Sequence, residues 1–372
     1  MKENLIVLFG GKSVEHDISI ITALQMMRNI PKKYNVVPVY IQRDGKWCVA
    51  DNLTDVNTFI DFDKNVIKKK EVMVGNGEPF LYIKKINSYK KYINVDCALM
   101  CLHGGEGEDG SVASILSMCD IPFTSSTHAS SAVCMDKIFT KQILASCDID
   151  NVDFCYFTKQ DFLQKEKDVL KKIKQLGYPV IIKPANLGSS VAIEIANNEK
   201  LVKEKIELAL EFDERVLVEK FLTDCDEYNC ACVKIDDKIM PSKVVHVDKG
   251  QIFSFEEKYI KESVKNEKKI EKNMEKQIKE VSKYVYKVLD CDGVVRIDFL
   301  VANGKLYVNE VNTIPGSLSI HMFKGISNRE FIDNLIVKAK EKHLEKKVLS
   351  HIFKSDALKI FKSAMNLAKC NK

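Results

Sequence analysis

The chain has 372 residues, 45% of them hydrophobic, which is ample core material for two or three globular domains of about 100–200 residues each. Its 57 basic and 52 acidic residues leave a net charge of +5. That excess is too small to argue for nucleic acid, yet it would not repel an anionic nucleotide.

Residues 5–9 form a continuous apolar strand. Gly10-Gly11-Lys12-Ser13 then turns the chain into the apolar-periodic segment 18–27. Strand, glycine turn and helix suggest the first unit of a parallel sheet. Such a start can hold a phosphate, although GG turns are common. Residues 36–41 and 96–102 are further strands, and between them 44–91 reads as polar and irregular, with Lys68-Lys69-Lys70 in solvent. The stretch from Leu102 to Gly110, LHGGEGEDG, combines four glycines with a histidine and three acids. After a buried strand it reads either as a substrate-lining turn at a sheet's carboxyl edge or as a surface loop. A short helix over 115–119 and a longer one over 129–147 follow.

A second region opens near Asp150. Residues 163–176 form an amphipathic helix ended by Gly177, and 179–182 an apolar strand leading to Lys183-Pro184 and Gly188-Ser189-Ser190. Small and hydroxyl residues after a lysine suit a flexible cover over phosphates, though the spacing departs from the P-loop pattern. Strands at 216–221, 230–235 and 238–247 follow. The lysine-rich segment 258–290 carries Ile270, Met274, Ile278, Val281, Val285 and Val288 at helical spacing, the stripe of a helix with one buried face. Leu358, Phe361 and Met365 mark a last helix, either docked or a dimer contact.

The twelve cysteines stand singly among apolar neighbours or alternate, as Cys230 and Cys232 do, without paired CxxC units. They read as buried free thiols of a reducing compartment, with no zinc site. The apolar run 5–9 is too short for a signal peptide. No stretch approaches the ~20 apolar residues of a membrane helix, so a soluble cytoplasmic protein is expected.

Residues 295–316, VRIDFLVANGKLYVNEVNTIPG, read as a hairpin turning at Asn303-Gly304. Side chains alternate faces along a strand, so Arg296 pairs in parity with Asp298, and Glu310 with Asn312. A three-residue loop, Asn303-Gly304-Lys305, would set Asp298 opposite Glu310 and gather all four on one patch; a two-residue loop would separate them. Two carboxylates and an amide oxygen suit Mg2+ shared with phosphate. The neighbouring arginine could hold a developing anion.

Together these stretches resemble the D-alanine–D-alanine ligase family of ATP-grasp enzymes. The resemblance rests on LFGGKSVEHDIS from Leu8, LHGGEGEDG from Leu102, ASSAVCMDK from Ala129, IIKPANLGSS from Ile181, FEEKY from Phe255 and the hairpin with NTIPG. It implies α/β and α+β domains in a three-domain ATP-grasp architecture with an N-terminal parallel-sheet domain. The expected boundaries are 1–128, 129–222 and 223–348, with a helical tail at 349–372.

ATP would lie between the second and third domains. Lys137 and Lys183 match lysines that hold its phosphates, Ser190 lies in the serine loop, and Lys258 matches a further phosphate contact. Glu219 matches the end of the adenine pocket and Glu227 the ribose contact. Asp298, Glu310 and Asn312 match ligands of Mg2+, with Mn2+ a possible substitute, and Arg296 with the Gly316 amide match the oxyanion donors. Glu15 matches the residue holding the first amino acid's ammonium, His103 lies against its carboxylate, and Tyr259 is linked with Glu15 and Ser189 in closing the site.

The implied partners are two amino acids and ATP, with no nucleic acid, no membrane and a possible homodimer. Four positions depart from the family pattern: Ala192 where glycine is usual, Ala113-Ser114 where glutamine-glycine is usual, and His321 where a serine holds the second substrate's carboxylate. Two rival expectations remain, a related ligase with another acceptor and a nucleotide-binding paralogue without chemistry. Every matched catalytic and metal position is filled, which argues against the latter.

Overall fold

Three sheets organise the chain in the computed structural model, which describes residues 2–75, 77–188, 191–247, 270–349 and 355–370. The first sheet is built on β1 (Glu3–Gly10), flanked in parallel by β2 (Tyr34–Ile41) and β7 (Cys97–Met100). Leu5 through Phe9 are all buried. That is what a near-continuous apolar run requires of a strand covered on both faces.

Residues 44–91 are not irregular as expected. They supply β3 (Trp47–Val49), β4 (Lys70–Gly75), β5 (Glu78–Lys84) and β6 (Tyr89–Asn94), which extend the sheet antiparallel in the order β6-β5-β4-β3-β2-β1-β7. Val72 and Val74 are buried while Met73 between them is exposed. The alternation was hidden by lysines on the solvent side. The N-terminal sheet is therefore mixed, parallel only around β1.

The single helix expected over 129–147 is two, His128–Met135 and Lys137–Ser146, separated by Asp136 in an extended conformation. The Asp136 carboxylate accepts from the Ile138 and Phe139 amides, each at 3.0 Å, and so starts the second helix as its N-cap. Lys137 consequently occupies the first position of that helix.

The second sheet has the order β10-β9-β11-β8, from β8 (Phe154–Thr158), β9 (Val180–Pro184), β10 (Glu194–Ala196) and β11 (Arg215–Lys220). The helices Lys159–Leu176 and Glu199–Ala209 cover it through Phe162, Val169, Ile173, Val202 and Ile206. The third sheet runs β13-β12-β15-β16 with β14 beside β12, from β12 (Asp226–Ile235), β13 (Lys238–Pro241), β14 (Val245–Val247), β15 (Val294–Ala302) and β16 (Lys305–Asn312). The helix Lys272–Val288 lays the stripe Met274, Ile278, Val281, Val285 and Val288 on its apolar face.

The final helix Ala357–Cys370 exposes Leu358, Phe361 and Met365. Buried cysteines such as Cys48, Cys97, Cys101 and Cys134 are free thiols, and no helix among the described residues is long and apolar enough to cross a membrane.

Candidate active site

One face of the third sheet is apolar beneath a helix, and the other carries its polar side chains beside the buried Ala231, Val233 and Val294. Val295, Ile297, Phe299, Val311, Cys230 and Cys232 pack under the helix Lys272–Val288, so Arg296, Asp298 and the side chains level with them face the other way. Of the two turns left open by the sequence, the structure has the two-residue loop. Ala302 pairs with Lys305 across Asn303 and Gly304, both at positive φ (50° and 74°), the signature of a tight two-residue hairpin.

Carried along the strands, that register would put Asp298 opposite Asn309. A bulge intervenes: Phe299 pairs with Val308, but Asp298 pairs with Glu310 and Arg296 with Asn312. The extra residue, Asn309, changes the parity and restores the expected patch by a route other than the turn. Its own amide oxygen accepts from Lys183 Nζ at 3.3 Å.

Within the patch, Arg296 grips Asp298 through two charge-assisted bonds of 2.7 and 2.8 Å, and the Asn312 amide donates to Asp298 at 3.2 Å. Asn229 on β12 lies directly opposite Asp298, and its amide, turned to donate, reaches the same carboxylate at 3.2 Å. Glu227 follows the parity of Asn229, so it shares this face. Among the described residues no cluster of three or more acid, histidine or cysteine side chains forms a metal cage. Mg2+ typically takes one or two carboxylates and completes its shell with water and phosphate, and Asp298, Glu310 and the Asn312 amide oxygen fit that demand.

The first sheet approaches through its carboxyl-end loops. Glu15 precedes the helix His16–Met27. A Cβ on Gly104 would stand 2.7 Å from Glu15 Oε2, and one on Gly188 would stand 3.2 Å away. The Glu15 carboxylate is thus lodged between the LHGG loop and the loop leading into Ser189. Ser189, Ser190, Lys258 and Tyr259 lie outside the described residues.

His103 is buried with both ring nitrogens engaged, Nδ1 with the Ile314 carbonyl at 2.6 Å and Nε2 with Thr22 Oγ1 at 2.8 Å. A carbonyl only accepts, so Nδ1 carries the proton and Thr22 donates to Nε2. Thr22 Oγ1 in turn accepts from the Ser317 amide at 3.1 Å. Burial lowers the His103 pKa to about 4, so the ring is neutral at pH 7. It acts on the site through the turn it holds, carrying no positive charge.

Glu108, one of the three acids of the LHGGEGEDG stretch though given no role from the sequence, is buried and accepts from the Gly104 and Ile314 amides at 3.0 and 3.3 Å. Burial, then the neighbouring Glu15 charge, raise its pKa to about 7.

On the nucleotide side, Lys137 Nζ donates to the Leu187 carbonyl at 2.7 Å, beside the serine loop. Glu219 is buried between two lysines, Lys141 at 2.6 Å and Lys183 at 2.5 Å. Burial alone would raise its pKa, but the two cations overcome that and hold it at about 2. Lys141 sits one turn beyond Lys137 and gave no signal in the sequence, since a helical lysine ordinarily reaches for solvent.

Gly316 opens the short turn Gly316–Met322, in which Ser317, Leu318 and Ser319 all take positive φ (51°, 47° and 47°), a strained run for residues with side chains. His321, near its end, is exposed. Ala192, where the family usually has glycine, also sits at positive φ (55°), so the methyl costs about 1 kcal/mol of backbone strain.

Loops from three sheets that bring lysines, carboxylates and an arginine pinned by Asp298 together define an ATP-dependent ligase of ATP-grasp architecture. Profiles described as D-ala D-ala ligase N-terminus and C-terminus match residues 4–126 and 143–337. The D-alanine--D-alanine ligase of Thermosipho melanesiensis is 39% identical over 358 residues, 93% of this chain and 96% of that one. That of Thermosipho africanus is 38% identical over 361 residues, 92% and 95%. The crystal structure of VanG D-Ala:D-Ser ligase from Enterococcus faecalis superposes with a TM-score of 0.78 at 29% identity, covering 91% of this chain and all of that one. The chain belongs to the D-alanine–D-alanine ligase family.

Proposed function

We propose that this chain joins two D-alanines at the expense of ATP, through an acyl phosphate, giving the dipeptide used in cell-wall synthesis. The observation that supports it best is that Glu15 lies against Gly188 of the loop after Lys183, while Lys183 itself meets Asn309 in the bulge beside Asp298 and Glu310.

A carboxylate is a poor electrophile. The first D-alanine's carboxylate oxygen attacks the γ-phosphorus, the bond to the β-phosphate oxygen breaks, and ADP leaves. The second D-alanine's amine, having lost a proton, attacks the acyl carbon, and inorganic phosphate leaves as the peptide bond closes. Glu15 holds the first ammonium, and Ser189 and Tyr259 close over it. Lys137, Lys183, Ser190 and Lys258 bind phosphates; Glu219 and Glu227 bind the nucleoside. Asp298, Glu310 and Asn312 would hold Mg2+, or Mn2+ in its place, which neutralises phosphate charge when bound.

Arg296 and the Gly316 amide stabilise the tetrahedral oxyanion. Because Arg296 is pinned by Asp298 before any substrate arrives, it needs no reorganisation during the reaction. The same reading places the protein in the cytoplasm, with a homodimer allowed. Phosphate release from ATP with D-alanine as both substrates, and dipeptide in the products, tests it; ATP hydrolysis without dipeptide would refute it.

A different acceptor is favoured by one feature. His321 is exposed on the turn after Gly316, where a serine is usual. Replacing His321 with serine should change the ranking of acceptors in the same phosphate-release assay; an unchanged ranking and pH profile would leave His321 a bystander.

A further inference from the structure

Lys141 is a lysine held out of solvent. Its side chain is 2% exposed, and its ammonium sits 2.6 Å from Glu219 Oε1. Lys183 contacts the other oxygen, Oε2, at 2.5 Å, but keeps 10% of its side chain exposed and also touches Asn309. One buried carboxylate therefore has two cations, one sealed in and one open to the cleft.

An unpaired buried carboxylate is costly. If Lys183 were its sole partner, Lys183 could turn toward a phosphate only by stranding Glu219. We infer that Lys141 is a positioning residue, the resident counter-ion of Glu219 that frees Lys183 to bind nucleotide phosphate. The inference rests on the reading of Lys183 as a phosphate-binding lysine and adds what makes that lysine available. Three charges, two positive and one negative, leave the pocket with a surplus positive charge, which suits an incoming polyphosphate.

The test measures ADP and adenosine dissociation constants by calorimetry in magnesium buffer, because adenosine lacks the phosphates. Lys183→Met sets the floor: ADP should weaken about tenfold, the worth of one charge-assisted contact, with adenosine unchanged. Lys141→Met should lower the ADP-over-adenosine preference nearly as far although Lys183 is intact, and Lys141→Arg should restore it. In Lys141→Met/Glu219→Gln no anion pins Lys183, so the preference should return toward that of the original chain.

A merely structural Lys141 would shift stability without moving this ratio. Loss of ADP preference in Lys183→Met but not in Lys141→Met overturns this inference alone. No loss in Lys183→Met overturns the nucleotide reading and this inference with it. If Lys141→Met does not fold, the double variant decides, and a ratio at the Lys183→Met floor refutes the inference.

Discussion

Glu108→Gln should make the protein more stable at pH 8 and no more stable at pH 5. The Glu108 carboxyl ionises near 7 in the folded chain, raised from its ordinary 4.5 first by burial and then by the Glu15 charge. A raised carboxyl favours the protonated folded form, so its contribution is fully present below the unfolded pKa and is lost as pH climbs through the folded one. The interval from 4.5 to about 7 corresponds to about 3 kcal/mol lost between acid and pH 8.

Glutamine keeps the shape and one carbonyl acceptor for the Gly104 and Ile314 amides, and gives up the other at a cost of about 1 kcal/mol. The variant should therefore be roughly equal or slightly weaker at pH 5 and stronger by about 2 kcal/mol at pH 8. Urea unfolding of both chains without nucleotide or magnesium, followed by circular dichroism across pH 5–8, gives the difference directly. Two stability curves that run parallel with pH would refute the reasoning.

Glu310→Gln should cut metal-dependent ATP turnover by roughly tenfold or more while circular dichroism and melting stay as they are; unchanged magnesium dependence would remove Glu310 from the metal set. Arg296→Met leaves the buried Asp298 without its bidentate partner and should cost about 3 kcal/mol in urea unfolding. Added Mg2+ should recover part of that loss, and a deficit insensitive to magnesium would speak against Asp298 as a ligand. Gly293→Ala puts a methyl into the Thr124 carbonyl at a φ of +64°, so it should destabilise by about 3 kcal/mol; a melting temperature within one degree of the original would contradict the packing described.

Much of the fold was legible because buried strands such as Leu5–Phe9 and striped helices such as Lys272–Val288 write their burial into local composition. The strands of 44–91 were not, because alternation around Met73 drowns among lysines on the solvent face. The paired helices around Asp136 were missed for a different reason. A capping aspartate inside an apolar-periodic run gives the same pattern whether the helix continues or restarts.

Lys141, and the particular role of Glu108 within its glycine-rich stretch, were hidden for a third reason, since their importance comes from burial beside partners such as Glu219 and Ile314 that are distant in sequence. The hairpin shows how far pattern can go. Asn-Gly is the strongest signal for a two-residue turn, while a shared face for Asp298 and Glu310 in a regular ladder needs an odd-numbered loop. The two demands conflict in any regular ladder. A bulge is the local device that satisfies both, and it falls at Asn309, whose side chain is then free to meet Lys183. Where turn chemistry and strand parity disagree between two carboxylates, the disagreement itself marks the place at which a regular hairpin has been bent to serve a site.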